Sequence, residues 1–523
     1  MLRVNERDYE KLIRPLFTTP GRIYWLVVGG LLAVVGWGVV MYTRQFFLGL
    51  GVTGMGRPVY WGVYMVNFVF FIGISHAGTL ISAILRVTGA EWRRPITRVA
   101  EAITAFALTV GTFQILFDMG RPDRLISIFQ FGRLQSPILW DVVSVTVYFL
   151  GSVTYLYLPL IPDVAILRDN CPESAPAWRC RLYALLALGW RGNREQWVRL
   201  EKAIAVMAVF IIPVAVSVHT IISWILATTV QPGWHSAVFG PYFVVGAIFS
   251  GIGALFIAMS IIRRLLGLEV YITGRQYRNL GLVFIAMNAI WFYFTYSEHL
   301  TIAAGQQTDE FVVLASKLWG EFAPGFWAMV VLMAVAFWVL VVPQVLPKAA
   351  ARIPLFRPGV ALVAISAAAL VVYALTQPTP VSVLLGDPRA RAWAWGLVAV
   401  GVVGAGLSIS LWLKAHPVGA TVIAATCVVI GMWLERWDIV VPTMTHARLI
   451  PYSTYAPTFT EWSLTAASFA LFGLMFFIFF KLFPAVSIWE VTEGEVIEEA
   501  LSKVVIPPPT PTETKRLRRW GFK

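Results

Sequence analysis

Long runs of apolar residues recur along the whole chain, separated by short polar segments. A transmembrane helix needs about 20 consecutive apolar residues. The segments that meet this length are roughly 23–43, 60–86, 98–117, 138–160, 200–229, 237–264, 279–300, 324–346, 359–376, 393–413, 418–440 and 462–482. Within them the apolar residues are continuous and do not alternate with polar ones, as they do in membrane strands. The pattern predicts an all-α polytopic membrane protein with about 10–12 spanning helices.

Composition supports this prediction and narrows the possible chemistry. The chain of 523 residues is 58% hydrophobic and 13% charged, whereas a soluble domain carries about 25% charged residues. An iron–sulfur cluster needs about four cysteines, and the three here (Cys171, Cys180, Cys427) form no CxxC pair and predict no disulfide framework. Of the six histidines, only His76 and His219 lie deep in predicted spans. We therefore expect no haem, iron–sulfur cluster or other redox metal in this chain.

The distribution of basic residues predicts the orientation. Successive spans cross the membrane in alternating directions, so twelve spans place both termini on the same side. On that side lie 31 of the 41 Lys and Arg residues, 9 lie on the other side, and Arg436 lies within a span. Cytoplasmic loops are rich in Lys and Arg, so both termini are expected in the cytoplasm. The basic residues are scattered over many loops, which argues against a nucleic-acid partner.

A set of polar residues is expected at the outer edge of the third and fourth spans. Asp118 ends the third span, and Asp141 lies one turn inside the fourth. Because the two spans form a hairpin, both carboxylates should lie at similar depth, with Arg121 and Asp123 in the connecting loop nearby. Carboxylates in an apolar site can act as acids and bases. The alternative is a salt bridge that only holds the hairpin together.

Other polar residues lie at membrane depth, where they are costly and often functional. The second span carries Tyr64, Asn67 and His76 on one helical stripe, which predicts either a ligand-binding wall or a packing face. Farther along the chain, the ionisable residues are His219, Glu298, Glu435, Arg436 and Asp438. They could form a proton route or a set of structural ion pairs. Since Glu435 and Arg436 are adjacent, we expect each to have its partner elsewhere.

Several sequence strings resemble the polysulfide reductase (NrfD-like) family of membrane subunits, and in particular the integral quinone-binding subunit of alternative complex III. They include FFIGISHAGTLISAIL, GRP after the third span, SPILWDV, PGWHSAVFGPYFVVGAIFSG and GMWLERWDIVVP. The resemblance implies two four-helix bundles plus flanking helices, in the cytoplasmic membrane of a bacterium. It also implies a menaquinol site near the periplasmic face, beside an iron–sulfur partner subunit, with multihaem cytochrome c subunits and a homologous membrane subunit as further partners.

The resemblance also assigns roles to individual residues. Asp141 falls at the position of the family's site aspartate and Arg121 at the arginine of GRP, whereas Asp118 replaces a histidine. We expect Asp118, Arg121 and Asp141 to be the catalytic residues, with His76, Tyr64, Asn67 and Asp123 lining the quinol site. The expected divisions are 1–59 (N-terminus and first span), 60–230 (first bundle), 231–483 (second bundle, with an added hairpin at about 357–414) and 484–523 (cytoplasmic tail).

The resulting hypothesis is a membrane subunit that oxidises quinol, passes electrons to an iron–sulfur partner and releases protons at the periplasmic side. Two other functions fit the same pattern of spans. A secondary transporter would also have many spans and polar residues at the midline, although no paired interrupted helices are evident. A passive anchor would leave the quinone to its partners. Proton translocation through the second bundle is also compatible with the sequence.

Overall fold

The computed structural model describes residues 5–345, 409–410 and 412–494. Within them lie ten helices that are long and apolar enough to cross a membrane. In chain order, α1 to α10 are Arg22–Leu48, Val63–Val87, Thr97–Asp118, Pro137–Asp169, Arg194–Ala227, Phe239–Leu265, Gly274–Gly305, Ala323–Val345, Pro417–Thr445 and Phe459–Leu482. The prediction of an all-helical polytopic membrane protein is confirmed.

Ten of the twelve predicted spans correspond to these helices. The predicted spans at 359–376 and 393–413, and with them the added hairpin, lie outside the described residues except for a few at 409–413. The three longest helices extend well beyond the predicted spans: α4, α5 and α7 have 33, 34 and 32 residues. At 1.5 Å per residue each is about 50 Å long, which exceeds the roughly 30 Å of the hydrocarbon core. Their polar ends continue the helix beyond the apolar segment from which the span was predicted.

Helix α2 lies at the centre of the molecule. It packs against α3, α5, α6 and α9, and it is enclosed along nearly its whole length. Helices α2 to α5 form one four-helix set, and α6 to α9 form a second set in which α9 packs on α6 and α8. Helix α1 pairs with α10 and leaves most of its own surface exposed. The architecture is two bundles plus a flanking helix pair.

The helices connect at two opposite ends of the molecule. We call the end that carries residues 5–20, 88–96, 170–193, 266–273 and 483–494 the basic end. The opposite end, with residues 49–62, 119–136, 228–238, 306–322 and 446–458, is the Asp118 end. Three shorter helices complete these ends: Leu125–Phe131 and Thr308–Leu318 at the Asp118 end and Ala177–Leu186 at the basic end.

The N-terminal segment is packed against the basic end. Its short helical turns, Glu6–Asp8, Tyr9–Ile13 and Arg14–Phe17, bury Leu12, Ile13 and Leu16. The fully buried Asp8 accepts a hydrogen bond from the Tyr271 hydroxyl. Arg179 donates to the Leu16 carbonyl at 2.9 Å. These contacts join segments that are far apart in the sequence.

Two cysteines are paired at the basic end, although the sequence predicted no disulfide framework. Cys171 and Cys180 form a disulfide, with their Cα atoms 6.1 Å apart. The chain reverses between them in a turn closed by the bond from the Ala175 N–H to the Pro172 carbonyl. The turn leads into the helix that carries Cys180, and it brings together two residues that have no recognisable sequence motif.

Candidate functional site

The polar stripe of α2 is fully enclosed, and each of its members has partners on other helices. Tyr64 donates from its hydroxyl to Gln45 Oε1 at 2.7 Å, and Gln45 Nε2 donates to the Phe117 carbonyl at 2.6 Å. Gln45 is 3% exposed although α1 is otherwise mostly exposed. This pair therefore connects α1 and α2 to the end of α3, next to Asp118.

One turn deeper, Asn67 joins α2 to two further helices. Its Nδ2 atom donates to Thr465 Oγ1 at 2.8 Å, and its Oδ1 atom accepts from Trp433 Nε1 at 3.0 Å. Both ends of the amide are thus engaged by protein. The geometry agrees with the packing alternative for Asn67, and a ligand at this position would have to displace one of these bonds.

His76 and His219 meet in the core of the first bundle. Their ring centroids are 3.8 Å apart, and both side chains are fully buried. At this separation the two rings are in contact. His76 Nδ1 lies 2.9 Å from the Ile72 carbonyl, and its Nε2 contacts the Ala215 carbonyl. Neutral imidazole has only one N–H, so only the protonated ring can donate to both carbonyls.

His219 has the opposite environment. Neither ring nitrogen has a hydrogen-bond partner among the described residues, although both are buried. His219 Nε2 and the hydroxyl of Ser250 both lie within 4 Å of the position that a Cβ atom on Gly73 would take. The pair thus combines a histidine that faces two carbonyl acceptors with one that has no protein partner among the described residues.

Asp118 and Asp141 lie on the two helices that lead into and out of the loop at the Asp118 end. Each has one carboxylate oxygen, Oδ1, that is buried and has no hydrogen-bond partner within the described part of the chain. No hydrogen bond within the described residues joins the carboxyl groups of Asp118 and Asp141. The structure therefore provides two separate buried acceptors, and the expected shared cluster is not formed by direct contact.

Arg121 is directed away from both carboxylates. It forms an ion pair with Asp123 at 3.0 Å, and the two side chains are 64% and 53% exposed. The hydrogen bond from Arg121 lowers the pKa of Asp123 below its usual value. Pro122 begins a short helical turn here, which ends α3 and turns both side chains toward the surface. The described contacts include no bond from Arg121 to Asp118 or Asp141, which the sequence had led us to expect.

A small pocket opens beside Asp118. Its empty volume is about 190 Å³, and it lies between α1 and the turn after α3. It is lined by Tyr42, Gln45, Phe46, Leu50, Met119, Gly120 and Pro122. Phe46, at its rim, is 51% exposed and faces outward with the rest of α1. The pocket thus has a polar inner wall and an apolar rim.

A larger pocket, with an empty volume of about 520 Å³, lies at the Asp118 end of the second bundle. Glu298 and Asp438 both line it, together with Lys317, which forms an ion pair with Asp438 at 3.5 Å. Glu298 accepts a hydrogen bond from Ser236. The structure thus brings together two residues of the predicted proton route, along with a lysine that the sequence analysis did not single out.

Glu435 and Arg436 correct one expectation. Arg436 Nη1 lies 2.7 Å from Glu435 Oε2, so these neighbours pair with each other. Both are 1% exposed. Their side chains are long enough to curve around the helix surface into the same space between α6, α7 and α9. Glu435 also has a partner elsewhere, since Trp291 Nε1 donates to it at 3.0 Å. Arg436 lies over the Phe243 ring at 5.1 Å.

Comparison with known proteins now identifies the family. The family model described as polysulphide reductase, NrfD, matches residues 51–377. The chain belongs to the NrfD family. A relative from Halobacterium salinarum, named as a membrane subunit of dimethyl sulfoxide reductase, is 28% identical over 247 residues. This match covers 47% of the present chain and 53% of the relative, so the chain spans about half the length of that curated relative.

The NrfD-family chain shows no group of three or more His, Cys, Asp or Glu side chains that could hold a metal ion within the residues that the structure describes. Among the described residues, the buried acids that were not singled out from the sequence include Asp8, Glu101, Asp163 and Glu490. Glu101 lies in a predicted span, so charge within an apolar run was a usable signal for it. The other three lie at or beyond span ends, where acidic residues are usually solvated.

Proposed function

We propose that this NrfD-family chain binds and oxidises a quinol at the Asp118 end, as a subunit of a respiratory or photosynthetic electron-transfer complex. The observation that carries the proposal is the pair of buried carboxylate oxygens without protein partners, on Asp118 and Asp141. Buried carboxylates need hydrogen-bond donors, and the two hydroxyl groups of a hydroquinone are suitable ones. The pocket between α1 and the turn after α3 lies next to Asp118, with the exposed Phe46 of α1 at its rim.

The chemistry follows from the substrate. Oxidation of a hydroquinone releases two electrons and two protons. Asp118 and Asp141 would each accept one hydroxyl proton, and the small size of the adjacent pocket would fit one edge of a ring while the tail stays in lipid. Tyr64 and Gln45 would hold the end of α3 in place. Arg121 and Asp123, at the surface, would pass protons to the water at that end or contact a partner.

The electron acceptor in this proposal is an iron–sulfur subunit docked at the Asp118 end, and the proposal places that end at the periplasm, with the excess of basic residues at the other end as support. Electrons would continue to multihaem cytochrome c subunits in an assembly like alternative complex III, with menaquinol as the donor and a homologous membrane subunit alongside. The relative named as a membrane subunit of dimethyl sulfoxide reductase supports a place in an oxidoreductase complex. Purification through this chain would identify the partners.

The decisive variant is Asp141→Asn, which removes the proton acceptor and keeps the shape. General-base catalysis contributes about 10²–10⁴-fold, so quinol-driven electron transfer should fall at least about 100-fold while the subunits still assemble. The matched control is Asp169→Asn at the other end of α4, where Asp169 pairs with Arg168 near the surface. Turnover of D141N equal to that of D169N would remove Asp141 from the mechanism.

The alternatives give different results. A passive anchor would assemble normally but retain no quinone after mild detergent extraction. A secondary transporter would take up a labelled solute into vesicles whether or not quinol was present. In either case the buried oxygens of Asp118 and Asp141 would be structural features.

A second candidate function, proton translocation, is favoured by the buried polar residues of the second bundle. The Glu435–Arg436 pair lies in the interior, and Glu298 and Asp438 line the 520 Å³ pocket that opens at the Asp118 end. With His219 these residues would form the route. Oxidation alone releases two protons per quinol, so measuring more than two at the outer face of vesicles would support translocation. A value of two would exclude it.

A further inference from the structure

A buried acid lies at the basic end of the first bundle, far along α3 from Asp118. Glu101 is 1% exposed, and its Oε1 atom accepts a hydrogen bond from Ser82 Oγ at 2.9 Å. The Ser82 hydroxyl lies 3.3 Å from the Tyr155 hydroxyl. The second oxygen, Glu101 Oε2, is buried and has no partner among the described residues. Glu101 thus has one engaged oxygen and one available oxygen inside the bundle.

Residues 485–494, which follow α10, cover this part of the bundle; we call them the terminal segment. Residues 485–492 are all buried. Asp163 of α4 accepts the backbone N–H groups of Ile488 and Trp489 at 3.2 and 3.0 Å. Trp489 Nε1 donates to the Pro159 carbonyl at 2.9 Å. The segment is thus docked on α4 through its own backbone, across the end of the bundle.

An ionic latch, formed by Glu490, Arg86 and Arg93, fixes the other side of the terminal segment. Glu490 is 1% exposed and pairs with Arg86 and, at 3.3 Å, with Arg93. Arg86 follows Ser82 by one turn of α2. The latch therefore lies between the Ser82–Glu101 pair and the water at the basic end.

The surroundings of Glu101 contain further buried polar atoms without protein partners in the described residues. They are Arg98 Nε, Arg98 Nη1 and Arg86 Nε. Arg98 lies one turn before Glu101 on α3, and its remaining nitrogen bonds Asp163 at 2.9 Å. An unpaired buried polar group costs about 1–3 kcal/mol, and proteins relieve this cost mainly with internal water. With Glu101 Oε2 these make four unpartnered atoms on α2 and α3 at the basic end, which internal water would satisfy.

We propose that Glu101 is a proton-binding site that exchanges with the water at the basic end, and that the ionic latch controls this exchange. The step is a simple acid–base reaction, in which the carboxylate takes a proton from hydronium and releases water. The charged and titratable groups that face it are Arg98 on α3, Arg86 on α2, Tyr155 on α4 and Glu490 in the terminal segment. The proposal does not depend on quinol oxidation.

The first test measures access to Ser82. In a chain whose three cysteines are replaced by serine, Ser82→Cys is treated with a membrane-impermeant cationic thiosulfonate in vesicles that expose the basic end. Glu490→Gln weakens the latch and should speed labelling at least tenfold. Glu493→Gln is the matched control, because Glu493 is in the same segment but pairs with Arg94 instead. Equal labelling rates in E490Q and E493Q, both folded by size-exclusion chromatography, would overturn the latch.

The second test detects the proton itself. Infrared spectra of the detergent-purified full chain should contain a carboxylic-acid band that shifts in D₂O, changes with pH and is absent in Glu101→Gln. In E490Q the shift should develop at least tenfold faster after dilution into D₂O than in E493Q. If E101Q leaves every exchangeable carboxylic-acid band unchanged, Glu101 is not a proton-binding site. Neither readout requires quinol, so failure of the quinol proposal would leave both results interpretable.

Discussion

At the residue scale, the buried polar side chains are matched mainly by partners that are distant in sequence. Asn67 bonds residues 465 and 433, and Tyr64 bonds Gln45. Helical spacing predicted that these residues share a face of α2, but it could not identify what lies opposite. Arg436 shows the converse case, since its partner is its own neighbour. Side-chain length and the shape of the surrounding space decide such pairs, and neither can be read from spacing.

The Glu435–Arg436 pair gives a prediction about stability. Arg436→Met leaves Glu435 buried without its cation, which should cost about 3–5 kcal/mol. The double variant E435Q/R436M removes both charges and should recover most of this loss. The measurement is thermal unfolding of the detergent-purified chain, followed by circular dichroism.

The control for this pair is Arg199→Met, where the arginine is 81% exposed beside Glu195. It should leave the melting temperature unchanged. If R436M has the same melting temperature as the wild-type chain, the buried pair contributes little to stability. If the double variant is no more stable than R436M, the electrostatic argument is wrong.

At the element scale, the close contact between α2 and α3 depends on a missing side chain. A Cβ atom on Gly78 would lie 1.8 Å from the Ala100 carbonyl oxygen and 2.2 Å from Thr104 Oγ1. Small residues allow membrane helices to approach closely. Because Thr104 and Ser75 are joined across this interface, the glycine also keeps the polar contacts of α2 in place.

Gly78→Ala should therefore force α2 and α3 apart. Overpacking typically costs about 1–3 kcal/mol, and here the obstacle is backbone, which cannot rotate away. The expected result is a clear drop in melting temperature and in the yield of folded protein. Gly30→Ala on α1 is the matched control, since nothing lies within 4 Å of its added Cβ. A G78A chain as stable as G30A would show that the two helices are not so closely packed.

The spanning helices were predictable because each must bury a long apolar surface, and ten of the predicted spans fall on helices. Helix ends were less predictable: α5 begins at Arg194, in a polar stretch where apolar periodicity gives no signal. Of the candidate site, the depth of Asp118 and Asp141 follows from the hairpin. The direction of Arg121 does not, because the turn begun by Pro122 determines it.

At the scale of the whole molecule, residues 5–20 and the terminal segment 485–494 are packed onto the same end. The N-terminal turns contact the helix Ala177–Leu186, and the terminal segment closes the first bundle. The sequence predicted only a cytoplasmic N-terminus before the first span and a cytoplasmic tail from residue 484. Residues 485–492 are consecutive and all buried, but the sequence does not show which surface covers them, so only the folded structure shows that both segments complete the core.

This docking predicts a pH dependence. Burial alone would raise the pKa of Glu490, but the Arg93 and Arg86 guanidinium groups outweigh it and lower the pKa below the usual 4.5. A carboxyl group with a lowered folded-state pKa stabilises the fold at higher pH, and the stabilisation is lost as pH falls through the folded-state value. Glu490→Gln should therefore lower the melting temperature at pH 7, and the difference should shrink below about pH 4. A difference that is constant from pH 7 to pH 3 would contradict the ion-pair explanation.

The orientation of the molecule gives the last prediction, because two physical arguments about the basic end conflict. The excess of Lys and Arg there assigns it to the cytoplasm. The Cys171–Cys180 disulfide lies at that same end, and disulfides are rare in a reducing cytosol. Charge acts during insertion of every loop, whereas two adjacent thiols can stay reduced without changing the fold. We therefore expect the charge argument to hold and the pair to be a dithiol in the cell.

The state of the pair can be counted directly. Cells are quenched in acid, the chain is denatured without reductant, and free thiols are tagged with a polyethylene-glycol maleimide. A cytoplasmic basic end gives three tags, on Cys171, Cys180 and Cys427, and the Cys427→Ser variant gives two. One tag in the wild-type chain and none in C427S would mean that the disulfide forms in the cell. In that case the basic end faces an oxidising compartment, the Asp118 end faces the cytoplasm, and the proposed quinol site releases its protons inward.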